Sequence, residues 1–545
     1  MNGPYLRTSM LVHPVSNEPD SIRGLPAGRP ARSLAAVPVS VGEPLTLEDV
    51  VAVARGAQVA FAGPARERVR AAREVVERAV ADGRTMYGVT TGFGALADTP
   101  IAPEQSSALQ RGIVTSHATA VGRPLSREEA RAMLLLRAHV LALGHSGVRS
   151  EVIELMVEML NRDIIPAVPE QGSLGASGDL APLAGLALPL IGLGRLLTGD
   201  GVTEPAADGL GRAGLRPLEL QAKEGLALVN GTQGMLAIGT LALIRSEQLA
   251  RAADVIAAMT IEASLGTDAP FDERLQRLRP HPGQAASATN LRVLLDASPI
   301  RESHRASPHL VQDAYSLRCA PQVHGATRDT CRHVREVLAI EANSVSDNPI
   351  VLVEDDDVQS GGNFHGMPVA VAMDALALSL VSLASISDRR LYRLLDPKTS
   401  NGLPPFLIPE SGLNSGFMLI QYTAASIVSE CKSLAHPASV DSIPSSAGQE
   451  DHVSMGMTSA RHAREIVANA ETVLALEALA AAQALDLRDP LEPGPATRAA
   501  VQAIRGRVPF VEHDREFGPD IEAAVELVHG GTLVAAVEAV TGPLH

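Results

Sequence analysis

Beyond Val41, apolar positions recur every three to four residues through most of the chain, the spacing of helices that bury one face. TLEDVVAVARG reads as a capped helix ending at Gly56, and ARERVRAAREVVERAVADG as a second one stopped by Gly83. The same period predicts helices over about 126–144 and 150–162, then one very long helix from KEGLALVN onward, broken near Asn230 and Gly231. Further helices are expected over 367–394, 412–436 and 456–485, with amphipathic helix and loop over 493–540.

Between these stretches the pattern lapses into polar, glycine-bearing loops: TMYGVTTGFGALADTP, a proline-rich loop near Pro280, SGGNFHGMPVA and SVDSIPSSAGQEDHVSMG. The expected fold is therefore mainly all-α, with long helices in a central bundle and a smaller, loop-rich N-terminal region. Residues 1–40 carry six prolines and no continuous apolar run, and read as a flexible extension. The rest divides into 41–235, a central bundle over 236–485, and a C-terminal helical region over 486–545.

Composition sharpens this picture. Hydrophobic residues make up 46% of the 545, aromatics only 2%, and the excess of Ala, Leu and Val favours helix. A net charge of -16 argues against nucleic acid or an anionic membrane as partner. The apolar window Leu180–Gly194 is interrupted by Pro182 and Pro189 and falls short of the ~20 residues a membrane span needs. Three cysteines without a CxxC spacing suggest a reducing, cytoplasmic compartment, and the absence of HExxH or His-rich spacing gives no expectation of a metal.

Candidate chemistry sits in the loops. Tyr87, one of five tyrosines, lies among glycines rather than on an apolar face, and so does Phe364. Tyr315 and Arg318 are three apart, so one helical turn places a phenol and a guanidinium on the same side; the arginine suits either a substrate carboxylate or a surface ion pair. Asn230 either shapes a turn or presents its amide to a ligand. His117 and Glu450 each admit a plain surface reading.

The stretch GSLGASGDLAP, residues 172–182, has two compatible readings. One is a Gly/Ser loop capping a helix through Ser or Asp. The other is chemical: the Gly178 nitrogen attacks the Ala176 carbonyl carbon, loss of water closes a five-membered ring, and loss of a second water from Ser177 leaves an exocyclic methylene. The residue types suit this, since glycine leaves its nitrogen unhindered, alanine is small and serine has a β-hydroxyl to lose.

This loop, followed in order by KEGLALVNGTQ, QDAYSLRCAPQ, SDNPI, GGNFHG, DRRLYRLLDP and DSIPSSAGQEDHVSMG, and preceded by YGVTTGFG and LQRGIVTSHA, resembles the aromatic amino acid ammonia-lyases and aminomutases. Within them the chain is most similar to the histidine-specific branch, through Ser116–His117 and Glu450. The resemblance implies elimination of ammonia from L-histidine to give trans-urocanate, by a 4-methylidene-imidazol-5-one formed from Ala176, Ser177 and Gly178, with no external cofactor. It implies Tyr87, Tyr315 and Glu450 in proton transfer, and His117, Asn230, Gln312, Arg318 and Phe364 in substrate binding. An active phenol would need its pKa, normally ~10, lowered by positive surroundings such as Arg318. A homotetramer sharing each site between subunits is also implied. The alternatives are an aminomutase, a lyase for another aromatic amino acid, and a non-catalytic helical scaffold. Thr90, Gly448 and His324 depart from the resembled pattern, the first two in loops expected to face the site.

Overall fold

Thr46 opens the first helix, Leu47–Ala54, by accepting the Asp49 N–H while the Asp49 carboxylate accepts the Thr46 N–H. Ser126 and Glu129 repeat this reciprocal cap on Arg127–Ala142. The computed structural model describes residues 37–174, 179–199, 202–306 and 311–545 and contains most of the expected helices. Helices cover Gly63–Ala81, Ser150–Asn161, Met367–Leu395 and Gly456–Asp486, close to their predicted bounds. The long helix breaks where expected, ending at Val229 and resuming at Gln233–Ala263.

One expected helix is shorter. Residues 412–436 become Met418–Leu434, because the Asp514 carboxylate captures the Ser415 and Gly416 N–H groups at 2.8 and 2.7 Å and holds the preceding residues as a loop. Among the described helices that were not anticipated, the two longest are Pro282–Leu294 and Ala320–Ala342; each carries proline in its first turn, where no intrahelical N–H bond is lost. Four two-stranded pairs were also not anticipated, the first joining Val39–Val41 in parallel to Val59–Phe61.

Gln233–Ala263, Met367–Leu395 and Gly456–Asp486 pack along one another, with Ala320–Ala342 against the first two. Residues Val473–Leu485 of the last helix are buried all round, and its many alanines let neighbouring backbones approach closely. Two helical stretches, Glu224–Ala263 and Met367–Leu395, are long and apolar enough by length and composition to cross a membrane. Their most apolar windows are 89% and 61% buried inside the fold. One contiguous apolar core runs from Val41 to Leu544. Residues 1–36, most of the expected extension, lie outside the described residues.

His139, fully buried on Arg127–Ala142, accepts the Gly42 N–H at Nδ1 (3.1 Å). Burial pushes its pKa down to about 4. The unfolded chain therefore binds a proton more readily than the fold, so this site costs nothing above pH ~6.5 and destabilises progressively as the pH falls toward 4, by about 3 kcal/mol. Denaturant midpoints followed across this range should fall less steeply for His139→Asn, which keeps an acceptor without the titration. Equal slopes would overturn the assignment.

Candidate active site

A cavity of about 610 Å³ gathers Tyr87, His117, Asn230, Phe364 and Glu450, together with Leu180. Five of the expected site residues thus converge from five separate segments.

Tyr87 belongs to a turn after Gly63–Ala81 that is knotted by Thr90, whose hydroxyl accepts the Met86 N–H and donates to the Arg84 carbonyl, both at 2.8 Å. The loop faces the cavity, but Thr90 does not line it: its hydroxyl is used within the turn. The Tyr87 phenol oxygen accepts the Gly94 N–H at 2.8 Å. Burial, aided by the Glu450 charge, raises the Tyr87 pKa above its ordinary value, while the Gly94 bond pulls it down. Lowering by a nearby Arg318 is not seen here, because Arg318 lines a different cavity.

His117 ends the Ser106–His117 helix, its ring tilted against Phe93 at 5.1 Å. Its Nδ1 lies 2.8 Å from the Ile113 carbonyl, which only accepts; the Nδ1 proton is assigned by that bond and leaves Nε2 an acceptor in the neutral ring. Glu450 is held by the Ser445 hydroxyl, which donates to Oε2 at 2.9 Å. Ser446, Ala447 and Gly448 are all left-handed (φ 51°, 54° and 87°). Glycine at 448 therefore suits its backbone, since glycine adopts that region without steric cost.

Asn230 sits in the break before Gln233–Ala263. Its amide donates to the Asn348 carbonyl at 3.0 Å, and its own carbonyl accepts from Arg137 at 2.7 Å. Arg137 is buried, as is the Lys223–Asp347 ion pair (2.9 Å) that adjoins Asn348. This polar layer fixes the backbone behind the cavity.

Ala176, Ser177 and Gly178 lie outside the described residues. Their flank is informative. Asp179 does not cap the helix it precedes, Leu180–Ala187. Its carboxylate instead accepts the Gly234 and Met235 N–H groups, at 2.7 and 3.0 Å, at the start of Gln233–Ala263. Burial pushes this carboxyl up to about 7 against those two bonds, which favour the anion. Leu180, the next residue, forms part of the cavity wall. Leu180 therefore brings the described chain on the C-terminal side of residue 178 to the cavity that holds Tyr87, Asn230 and Glu450.

The remaining expected residues lie elsewhere. Gln312 and Arg318 line a second cavity of about 460 Å³, and Tyr315 is 71% exposed. Tyr315 and Arg318 do share one side of a single helical turn, with the guanidinium 4.6 Å from the ring centroid. Arg318 has no carboxylate partner among the described residues, and its Nε is buried without a hydrogen bond. That removes the surface ion pair as its explanation and leaves a guanidinium available to a ligand.

His324, the third departure, is wholly buried in the bundle, bonded to Asp254, and lines neither cavity. Sequence reasoning passed over Asp179 as an anchor, and considered His365 and His452 only as metal ligands beside His324, a reading their spacing did not favour; their stacked rings (6.0 Å apart) line the first cavity. Asp179 had a signal in its place directly after the Ala-Ser-Gly triplet; nothing in the sequence pointed to the two histidine rings stacking together.

Residues 45–506 match the family model described as aromatic amino acid lyase. The chain is 57% identical to histidine ammonia-lyase of Symbiobacterium thermophilum over 93% of its own length and 99% of the relative's. It is 54% identical to that of Sorangium cellulosum, over 93% and 100%. Among solved structures it resembles histidine ammonia-lyase from Trypanosoma cruzi (TM-score 0.85, 42% identity, covering 92% and 95%) and a tyrosine aminomutase from Streptomyces globisporus (0.89, 39%, 93% and 100%). The segments that build the cavity all fall within the matched residues, and the chain belongs to the aromatic amino acid lyase family.

Proposed function

We propose that the protein is a histidine ammonia-lyase, converting L-histidine to trans-urocanate and ammonia. The observation that carries this reading is the meeting of Tyr87, His117, Asn230 and Glu450 in one cavity with Leu180, two residues beyond Gly178 in sequence. When formed, the methylidene-imidazolone of that loop supplies the electrophile that makes ammonium a competent leaving group.

The chain's own residues account for the rest. His117 Nε2 and the Glu450 carboxylate offer acceptors, which an imidazole N–H satisfies and a phenyl ring leaves unpaired. Asn230, braced by Arg137 and Asn348, presents an amide of fixed orientation. Phe364 packs beside the substrate. The β-carbon proton needs a base, and a phenol is the assigned group: Tyr315 for this proton, with Tyr87 and Glu450 in the remaining proton transfers. Arg318 clamps the substrate carboxylate, with Gln312 alongside.

Gln312, Tyr315 and Arg318 lie apart from the first cavity in a single chain, which supports a homotetramer in which a neighbouring subunit brings them to it. This has a direct test. Tyr87→Phe and Tyr315→Phe should each lose about a hundredfold or more of turnover. Co-expressed, they should recover about a quarter of the wild-type rate, because random assembly leaves that share of sites with both phenols. No recovery would place both phenols of each site in one chain.

The three free cysteines support a reducing, cytoplasmic location. The likeness in fold to a tyrosine aminomutase keeps one other product in view. Incubation with L-histidine, L-phenylalanine and L-tyrosine, followed by urocanate absorbance and product separation, should give urocanate and free ammonia from histidine alone. A β-amino acid without ammonia release would establish the aminomutase instead.

A further inference from the structure

The loops carrying Tyr87 and Glu450 are more than 350 residues apart in sequence, yet a short series of bonds joins them. The Gly94 N–H donates to the Tyr87 phenol oxygen at 2.8 Å, and the next N–H, of Ala95, donates to the Ser446 hydroxyl at 3.1 Å. On the other side of Ser446, Ser445 pairs with Glu450 through its backbone N–H to the Glu450 carbonyl (2.8 Å) and through its hydroxyl to the carboxylate (2.9 Å). Tyr87, Gly94, Ser446 and Glu450 all line the cavity.

Two features show that this contact is built in. A Cβ on Gly94 would lie 2.6 Å from the Ser446 hydroxyl oxygen, so only glycine permits the approach. Ser446 and Ala447 hold left-handed backbone, φ 51° and 54°, which residues with a Cβ adopt at a cost. That conformation turns the Ser446 side chain across to the opposite loop.

We infer that Ser446 is a positioning residue, a latch that docks the Tyr87 loop onto the Glu450 loop and so fixes the phenol relative to the carboxylate. The catalytic part of this inference rests on the lyase reading given above. Ser446 is assigned no contact with substrate. Its hydroxyl acts by holding Ala95, and through the adjoining Gly94 N–H it holds the phenol.

Ser446→Gly and Ser446→Asn test the latch in the full-length protein. Glycine removes the acceptor but suits φ 51°, so the fold is not put at risk; asparagine tolerates the same backbone and restores an acceptor oxygen. Hydrogen exchange at the Ala95 amide should quicken about tenfold in Ser446→Gly, the worth of one hydrogen bond. The kcat for L-histidine should fall by a similar factor with KM little changed, and Ser446→Asn should restore both.

Unchanged exchange in Ser446→Gly would overturn the latch. Faster exchange with unchanged kcat would overturn its role in positioning, and so would a loss that Ser446→Asn fails to rescue in either readout. Wild-type turnover reports separately on the lyase reading: a wild-type enzyme inert toward L-histidine removes that reading and the positioning role with it, while the exchange comparison still decides whether the two loops are latched.

Discussion

Ser177→Ala should lower L-histidine turnover by about a thousandfold or more, equivalent to about 4 kcal/mol of added barrier, while the helical fold stays intact. The argument rests on which atoms leave. Closing the ring between the Gly178 nitrogen and the Ala176 carbonyl expels one water and does not involve the side chain at 177. The second water takes its oxygen from the Ser177 hydroxyl, and alanine has none to give. A mature wild-type chain should therefore weigh two waters less than its sequence, and the variant at most one water less.

The fold should survive because the anchor of this segment is independent of residue 177: Asp179 is held by the Gly234 and Met235 N–H groups, and the cavity wall resumes at Leu180. Intact mass, far-ultraviolet circular dichroism and urocanate absorbance on the same preparations check all three expectations. Turnover near the wild-type rate, or a wild-type mass without the two-water deficit, would overturn the proposed electrophile.

What the sequence disclosed followed the range of the interactions involved. Helix starts such as Thr46–Asp49 and Ser126–Glu129 are settled within four residues, so they could be read directly. Loop residues crowded among glycines, such as Tyr87 and Phe364, were separable from core aromatics by their immediate neighbours. Asp179 was half legible: a capping role was expected of it, but the helix it caps begins 54 residues downstream, and no local pattern selects that partner. The shortened 418–434 helix likewise depends on Asp514, nearly a hundred residues away. The division of the site residues between two cavities was hidden for the same reason, since linear order says nothing about which chain surface Tyr315 and Arg318 will face. His324 stood out in the sequence only as a departure from the resembled pattern, whereas the fold buries it in the bundle, where it lines neither cavity.

That use sets the second large effect, on stability. In the centre of the bundle Arg390 grips Glu477 through two bonds, of 2.6 and 2.8 Å, and Thr260 and Ser387 donate to the same carboxylate. Arg390 also lies 3.2 Å from His324 Nε2; since a guanidinium only donates, that nitrogen accepts, and Nδ1 carries the proton to Asp254 at 2.7 Å. The neutral imidazole agrees with its depressed pKa, whose first cause is burial. Arg328, Ser287 and Asn290 complete the shell of Asp254. Two cations and two anions thus balance across four helices.

Glu477→Ala leaves Arg390 charged and unpaired where water cannot reach it, and should cost about 3–5 kcal/mol of stability. The double change Arg390→Met with Glu477→Leu removes both charges and restores apolar volume, so it should cost less than Glu477→Ala despite altering more atoms. Urea midpoints of the full-length proteins give the comparison. If the double variant is destabilised by the sum of Arg390→Met and Glu477→Leu measured singly, Arg390 and Glu477 act independently and the balanced-charge account of the bundle fails; if it recovers most of their combined loss, His324 is at home in the core as the neutral link between two compensated ion pairs.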